Sequence, residues 1–321
     1  MICHARHRLH VLFLSLLFAA ACIPASAADL PTVLPRNVKV IQFSSASLGD
    51  ERTLLVILPL DYDTSTSRYP TLYLLHGYDA DFTDWARGTN LTAYAAEHHL
   101  IIVTPEASRG WYVNSVSDPK ARFDDFIVKD VIGYVDAHFR TIPERFARAI
   151  AGVSMGGYGA VFLGLEHYDT FAAIGSFSGA FDIAHMEPPK APPDEAEERR
   201  KFRQEVASRF GIYGSKEQKD RDPFELAAKI PVQQAPMLFI VCGGEDGLAE
   251  INHQFISLLA KRRIPYEYRE LSPREHDWSI WNEEIPIFLD KLDHLEGFGS
   301  VLPDDHGAGK RNSQEQLRQD R

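Results

Sequence analysis

Four short runs, "YPTLYLLHGY", "LIIVTPEA", "ARAIAGVS" and "MLFIVCGG", are almost wholly apolar and end in glycine, proline or polar residues. A strand with one face in water alternates apolar and polar residues. A run apolar at nearly every position is instead buried on both faces, which is the situation inside a parallel sheet. Segments of helical period separate the runs. "FDDFIVKDVIGYVDAHF" sets Phe123, Phe126, Ile127, Val131, Val135 and Phe139 near one face, and "YGAVFLGLEHY" and "EINHQFISLLAKR" follow two other runs. Strands alternating with helices predict an α/β fold: a mostly parallel central sheet flanked by helices. Two earlier segments, "NVKVIQFSSA" and "RTLLVILPLDY", read as strands joined by a hairpin-like connection.

One stretch breaks the alternation. Phe181 to Ile230 contains a proline cluster followed by "DEAEERRKFRQEV", in which Glu195 and Glu197 precede Arg199 and Lys201 by four residues, a spacing that supports an exposed helix. It is expected to be an insertion, or a lid, over one end of the sheet, ahead of the strand "MLFIVCGG".

The first residues have Arg6 and Arg8, an apolar run from Val11 to Ala21 and a small-residue site at Ala25-Ser26-Ala27. That layout is a secretory signal peptide over residues 1–27, and the run is shorter than the roughly 20 apolar residues of a spanning helix. An exported protein, periplasmic or extracellular, with no stable membrane span after cleavage, is the expectation. A lipid anchor at Cys22 is the weaker alternative, since the leucine usual three residues before such a cysteine is missing. Cleavage would also remove Cys3 and Cys22 and leave Cys242 alone, so the mature chain would rest on its hydrophobic core without an intramolecular disulfide. Residues 1–27 hold two arginines and no acid, so the net charge would move from -11 to -13. That acidity speaks against nucleic acid as a partner, because phosphate contacts need a basic face. The folded body is expected over residues 28–302, and the polar, aperiodic residues 303–321 are expected to be a disordered tail.

The stretch "AIAGVSMGGYGA" places Ser154 between Gly152 and Gly156, with Gly157 behind. Glycine weakens strands and helices alike, so this density serves geometry. A serine hydroxyl is a weak nucleophile until a base can reach it, and in G-x-S-x-G a tight strand-to-helix turn pushes Oγ out at the end of the strand. The pattern by itself recurs by chance; its partners decide. In such folds the chain order is serine, acid, histidine. Downstream, "LFIVCGGEDGLAE" is a strand followed by a turn with Asp246 and its rival Glu245, and "YEYRELSPREHDWSIWNEEIPIFL" carries His276 between a strand pattern and a helix pattern. Ser154, Asp246 and His276 are therefore the candidate nucleophile, acid and base. An oxyanion also needs donors. The backbone N–H of Met155, at a helix start, is one candidate, and that of Tyr78, after "LYLLHG", is the second, with Gly77 as its alternative. His76 reads as a packing or loop-fixing residue. No H-E-x-x-H and no cysteine pair is present to hold a metal, and no cofactor is expected.

Together these residues carry a resemblance. From about Val38 to Leu292, "LYLLHGY", "WYVNS", "IAGVSMGGYGA", "SGAFD", "DPFELA", "CGGEDGL", "NHQF" and "HDWSIW" resemble the putative esterase family, the esterase D group of α/β-hydrolases. That group includes S-formylglutathione hydrolases, feruloyl and acetylxylan esterases and mycolyltransferases. The resemblance implies an α/β-hydrolase fold with the same triad and oxyanion donors. "HDWSIW" looks more like the secreted feruloyl and carbohydrate esterases, and an export signal is unlike the cytosolic formylglutathione hydrolases. An exported serine carboxylesterase acting on short-chain, aryl or carbohydrate-linked esters is the expectation. The alternatives are an acyltransferase of the mycolyltransferase kind, a formylglutathione hydrolase-like thioesterase and, outside enzymes, a glycan- or lipid-binding module. Trp278 and Trp281 either line an aromatic acyl pocket or pack in the core. Trp111, Tyr112 and Asn114 either border the cleft or fix their loop. Residues alone leave the acyl group, the alcohol and the oligomeric state open.

Overall fold

A computed structural model describes residues 35–188, 191–192 and 195–298. The expected signal peptide and tail, with Cys3 and Cys22, lie outside these residues. The elements in chain order are β1 (Val38–Ser45), β2 (Asp50–Ile57), β3 (Thr71–Leu75), α1 (Asp84–Gly88), α2 (Leu91–Glu97), β4 (Ile101–Pro105), α3 (Phe123–Asp125), a π-helical segment (Phe126–Val131), α4 (Ile132–His138), β5 (Arg148–Val153), α5 (Met155–Glu166), β6 (Ala173–Phe177), α6 (Asp182–His185), α7 (Glu197–Phe210), α8 (Lys216–Lys219), α9 (Pro223–Lys229), β7 (Met237–Gly243), α10 (Ala249–Arg262), β8 (Tyr266–Leu271) and α11 (Trp278–Asp293). The eight strands form one sheet in the order β1-β2-β4-β3-β5-β6-β7-β8. β1 and β2 pair antiparallel, as does β2 with β4, and every pairing from β4 to β8 is parallel.

The apolar runs are buried on both faces for the reason anticipated. Side chains alternate across a strand, so Tyr73, Leu75, Val103, Ile150, Ile174 and Ile240 enter the core on one face of the sheet. Leu72, Leu74, Ile102, Ala149, Ala151, Phe239 and Val241 enter the core on the other. The first core is closed by Phe126, Ile127, Val131 and Val135, by α5 and by Ile251, Phe255 and Leu259 of α10. The second is closed by Trp85, Leu91 and Ala95 and by Ile285, Phe288, Leu289 and Leu292 of α11.

Three local findings refine the sequence reading. The helix expected over "FDDFIVKDVIGYVDAHF" is interrupted by the π-helical segment. β6, "AIGSF", was not among the expected strands: its small residues mute the apolar signal, yet Gly175 sits so close to Ala151 that a Cβ would collide with it and crowd the Phe288 ring. In the Phe181–Ile230 stretch, α7 begins only at Glu197, which pairs with Lys201 at 3.8 Å. Glu195 lies before the helix and pairs with Arg203, not Arg199, because helical spacing does not extend beyond the first turn.

The C-terminal end of β3 is tied down by α1. The Trp85 indole, 0% exposed, donates Nε1–H to the Leu75 carbonyl at 2.9 Å. Trp85→Phe is expected to remove that hydrogen bond and to lower unfolding free energy by about 1 kcal/mol, read as a shifted urea midpoint with an unchanged slope.

Candidate active site

β5 delivers Ser154 and α5 leaves from it. Ser154 has φ 56° and ψ -114°, a conformation that L-residues avoid. Its N–H donates to the Phe177 carbonyl at 2.9 Å, and its carbonyl accepts from Tyr158 N–H at 3.0 Å and Ala180 N–H at 3.2 Å. The flanking glycines are required by approach. A Cβ on Gly152 would overlap the Gly156 carbonyl, and one on Gly156 would overlap the Leu75 carbonyl at the end of β3. The serine is thus held at the C-terminal edge of the sheet, beside the β3 loop.

A cavity of about 300 Å³ opens there, lined by Gly77, Tyr78, Ser154, His276, Trp278 and Trp281 among others. His276 precedes Asp277, whose carboxylate caps α11 by accepting from Ser279 N–H at 2.7 Å. The cap fixes where the helix starts, and with it the place of the preceding imidazole. His276 Nδ1 meets Asp246 Oδ2 at 2.8 Å, and the edge of its ring packs against Trp281 with centroids 5.1 Å apart. Asp246 is buried in the turn after β7, while Glu245 points out to solvent. Of the two rival acids, the geometry selects Asp246.

Burial alone would raise the Asp246 carboxyl. Hydrogen bonds from His276, from the Leu248 N–H at 2.9 Å and from the Ser178 hydroxyl outweigh it and hold the carboxyl below the ordinary aspartate range. Ser178 in turn accepts from Trp281 Nε1 at 3.2 Å. Ser178 was not singled out from the sequence; it follows the poorly marked β6 and carries a positive φ of 51°, visible only in the fold. Burial pushes the neighbouring Cys242 thiol well up, so it stays a neutral packing group.

The candidate donors lie on either side of Ser154: Met155 follows it, and the Gly77–Tyr78 loop runs beside it. The N–H of Met155 opens α5, and among the described residues neither it nor the N–H of Tyr78 has a protein acceptor. His76 is buried and fixes the loop, as expected: Nε2 accepts from Ala107 N–H at 3.1 Å, so the ring proton sits on Nδ1 and goes to the Gly77 carbonyl at 2.7 Å. In a trans peptide the N–H lies opposite the C=O, so the Tyr78 N–H is turned away from His76.

Of the expected pocket residues, Trp278 lines the cavity, its ring perpendicular to those of Trp85 and Trp281. Trp111 and Asn114 do not line it. Trp111 is buried among Tyr78, Tyr158 and Phe210. Asn114 accepts from Asp125 N–H through Oδ1 and from Arg221 through its carbonyl. Both serve the alternative reading of that segment, the fixing of a loop in which Trp111 and Tyr112 carry positive φ values of 55° and 57°. No helix among the described residues is long and apolar enough to cross a membrane.

The sheet order, the strained serine turn and the cluster around it define an α/β-hydrolase. The chain belongs to the family described as "Putative esterase", whose model matches residues 45–291. It is 28% identical to an acetyl esterase of Caldicellulosiruptor saccharolyticus over 260 residues, 76% of this chain and 94% of that one. Among solved structures it is similar to FphF, a fluorophosphonate-binding serine hydrolase of Staphylococcus aureus, at 29% identity and a TM-score of 0.66, covering 79% of this chain and 97% of that one. It is likewise similar to the S-formylglutathione hydrolase FrmB of the same organism, at 28% identity and a TM-score of 0.66, with the same coverage of 79% and 97%. The protein is a serine ester hydrolase.

Because folding lowers the Asp246 pKa, its charge favours the folded state above the ordinary aspartate range, and that contribution is lost as pH falls through the lower folded value. Thermal melts between pH 6 and pH 3 are therefore expected to show a shallower acid-side loss for Asp246→Asn than for the wild type.

Proposed function

We propose that this protein is an exported carboxylesterase that cleaves short-chain, aryl or carbohydrate-linked esters, with Ser154 as nucleophile, His276 as base and Asp246 as the acid that orients it. The observation that carries the reading is the shared cavity: a serine held at positive φ at a strand–helix turn, and a histidine fixed by a buried carboxylate, both on its wall. In this mechanism Ser154 Oγ attacks the ester carbonyl carbon while His276 Nε2 takes the hydroxyl proton. The Met155 and Tyr78 N–H groups receive the oxyanion. Its collapse breaks the bond to the alcohol, which leaves with the proton from His276. Water, deprotonated by the same imidazole, then attacks the acyl-enzyme and releases the carboxylic acid, returning the proton to Ser154. Asp246, kept ionised by its hydrogen bonds, holds the Nδ1 proton and stabilises the imidazolium.

The volume of about 300 Å³ and the aromatic wall of Trp278 and Trp281 favour a small acyl or aryl group. Similarity to an acetyl esterase points the same way. Export is supported by the basic, apolar and small-residue layout of residues 1–27. The thioesterase reading keeps the support of the formylglutathione hydrolase likeness.

A panel of p-nitrophenyl esters of increasing chain length, with methyl ferulate, acetylated xylan and S-formylglutathione, tests the proposal. Short acyl or aryl esters are expected to turn over fastest, and Ser154→Ala to abolish hydrolysis. Asp246→Asn is expected to lower kcat on the order of 10³- to 10⁴-fold through loss of the correct histidine tautomer. Preferred turnover of the thioester would move the substrate assignment to the thioesterase.

A further inference from the structure

Among the described residues, none of the N–H groups of residues 77–81 donates to a backbone carbonyl. This loop, which carries one of the two candidate oxyanion donors, is placed by side chains. His76 fixes the Gly77 carbonyl, Asp79 pairs with Arg109, Asp81 accepts from the Thr83 N–H at 2.7 Å, and the Tyr78 side chain adds the contacts that reach α7. Its ring packs against Trp111 with centroids 5.7 Å apart and perpendicular to Phe202 at 5.6 Å, with the Arg109 guanidinium 4.7 Å over its face. Its hydroxyl donates to Glu205 Oε2 at 2.7 Å. Phe202 and Glu205 are three residues apart on one face of α7, in the segment between β6 and β7.

Glu205 is an expensive way to fill this position. Its other oxygen, Oε1, is buried with no hydrogen-bond partner, a cost that packing with an aliphatic side chain would avoid. What the carboxylate gains is a directed bond. Burial, reinforced by the nearby Glu205, pushes the Tyr78 phenol well up, so the hydroxyl stays a donor throughout the working range of an esterase. α7 is anchored elsewhere by its buried Val206 and Phe210 and by Ser208, whose carbonyl accepts from Ser115 Oγ at 2.7 Å and from the Val116 and Ser117 N–H groups at 3.1 Å each; Phe202 and Glu205 tie it to the oxyanion loop.

We propose that Glu205 is a positioning residue of the esterase site: through the Tyr78 hydroxyl it clamps α7 onto the oxyanion loop and holds the Tyr78 N–H in place for the tetrahedral intermediate. The proposal rests on the reading of Ser154 as nucleophile and Tyr78 N–H as donor. It makes the segment between β6 and β7 part of the catalytic apparatus rather than a passive cover. Glu205 touches no substrate; it acts through Tyr78.

The test uses Tyr78→Phe, Glu205→Ala, Glu205→Gln and the Tyr78→Phe/Glu205→Ala double variant of the mature protein, with kcat, KM and melting temperature measured on the best p-nitrophenyl ester, beside Ser154→Ala. Tyr78→Phe and Glu205→Ala are each expected to lower kcat about 10-fold with KM changed less than about twofold, as for a lost transition-state contact. The double variant is expected to be no worse than either single one, because both remove the same bond. Glu205→Gln keeps an acceptor oxygen and is expected to recover most of kcat. A fall in melting temperature with kcat intact, losses that multiply in the double variant, or no recovery with glutamine would overturn the proposal. Hydrolysis surviving in Ser154→Ala would instead overturn the reading of the site beneath it.

Discussion

The strained turn at Ser154 is the constraint around which the rest of this molecule is arranged. A non-glycine residue in so sparsely populated a conformation costs of order 1–3 kcal/mol and persists only where its surroundings over-determine it. Here they do. β6 accepts its N–H, two amides of the following segments converge on its carbonyl, and Gly152 and Gly156 let α5 press against both β5 and the end of β3. α5 is accordingly buried along nearly its whole length. The sheet fixes the serine, and every other group at the site is measured from it.

The acid and the base come from the turns after β7 and β8, at the same edge of the sheet as the serine, and each is fixed by local chemistry before it meets the other. Asp246 sits in the turn that ends β7, where two hydrogen bonds besides that from His276 offset the cost of burying its charge. His276 stands one residue ahead of the capped start of α11. The capping aspartate, the buried acid and the Trp281 indole make the imidazole's position a property of the frame. A site that is rigid in its ground state needs little reorganisation during reaction, which is the physical content of preorganised catalysis.

Much of this was legible in the residues because the governing rules are local. Continuous apolar runs announced strands buried on both faces, and glycine density around Ser154 announced a turn that only a close approach explains. The order of Ser154, Asp246 and His276 followed from where turns fall after strands. What stayed hidden depends on approach in three dimensions. β6 is built from small residues because Phe288 and Ala151 crowd it, so it carried no strong apolar signal. Trp111 and Asn114 were candidate cleft residues, but Trp111 packs among Tyr78, Tyr158 and Phe210 and Asn114 bonds to Asp125 and Arg221. Ser178 and Glu205 act through contacts with residues distant in the chain, which no spacing rule encodes. The segments read as a signal peptide and a tail fall outside the described residues.

The most direct measurement is the site of covalent modification by a fluorophosphonate probe, read by intact mass and peptide mapping on the purified protein. The account predicts a single adduct, on Ser154, formed rapidly by the wild type and greatly slowed in His276→Ala. An adduct on another serine, or labelling of Ser154 at the same rate without His276, would contradict it.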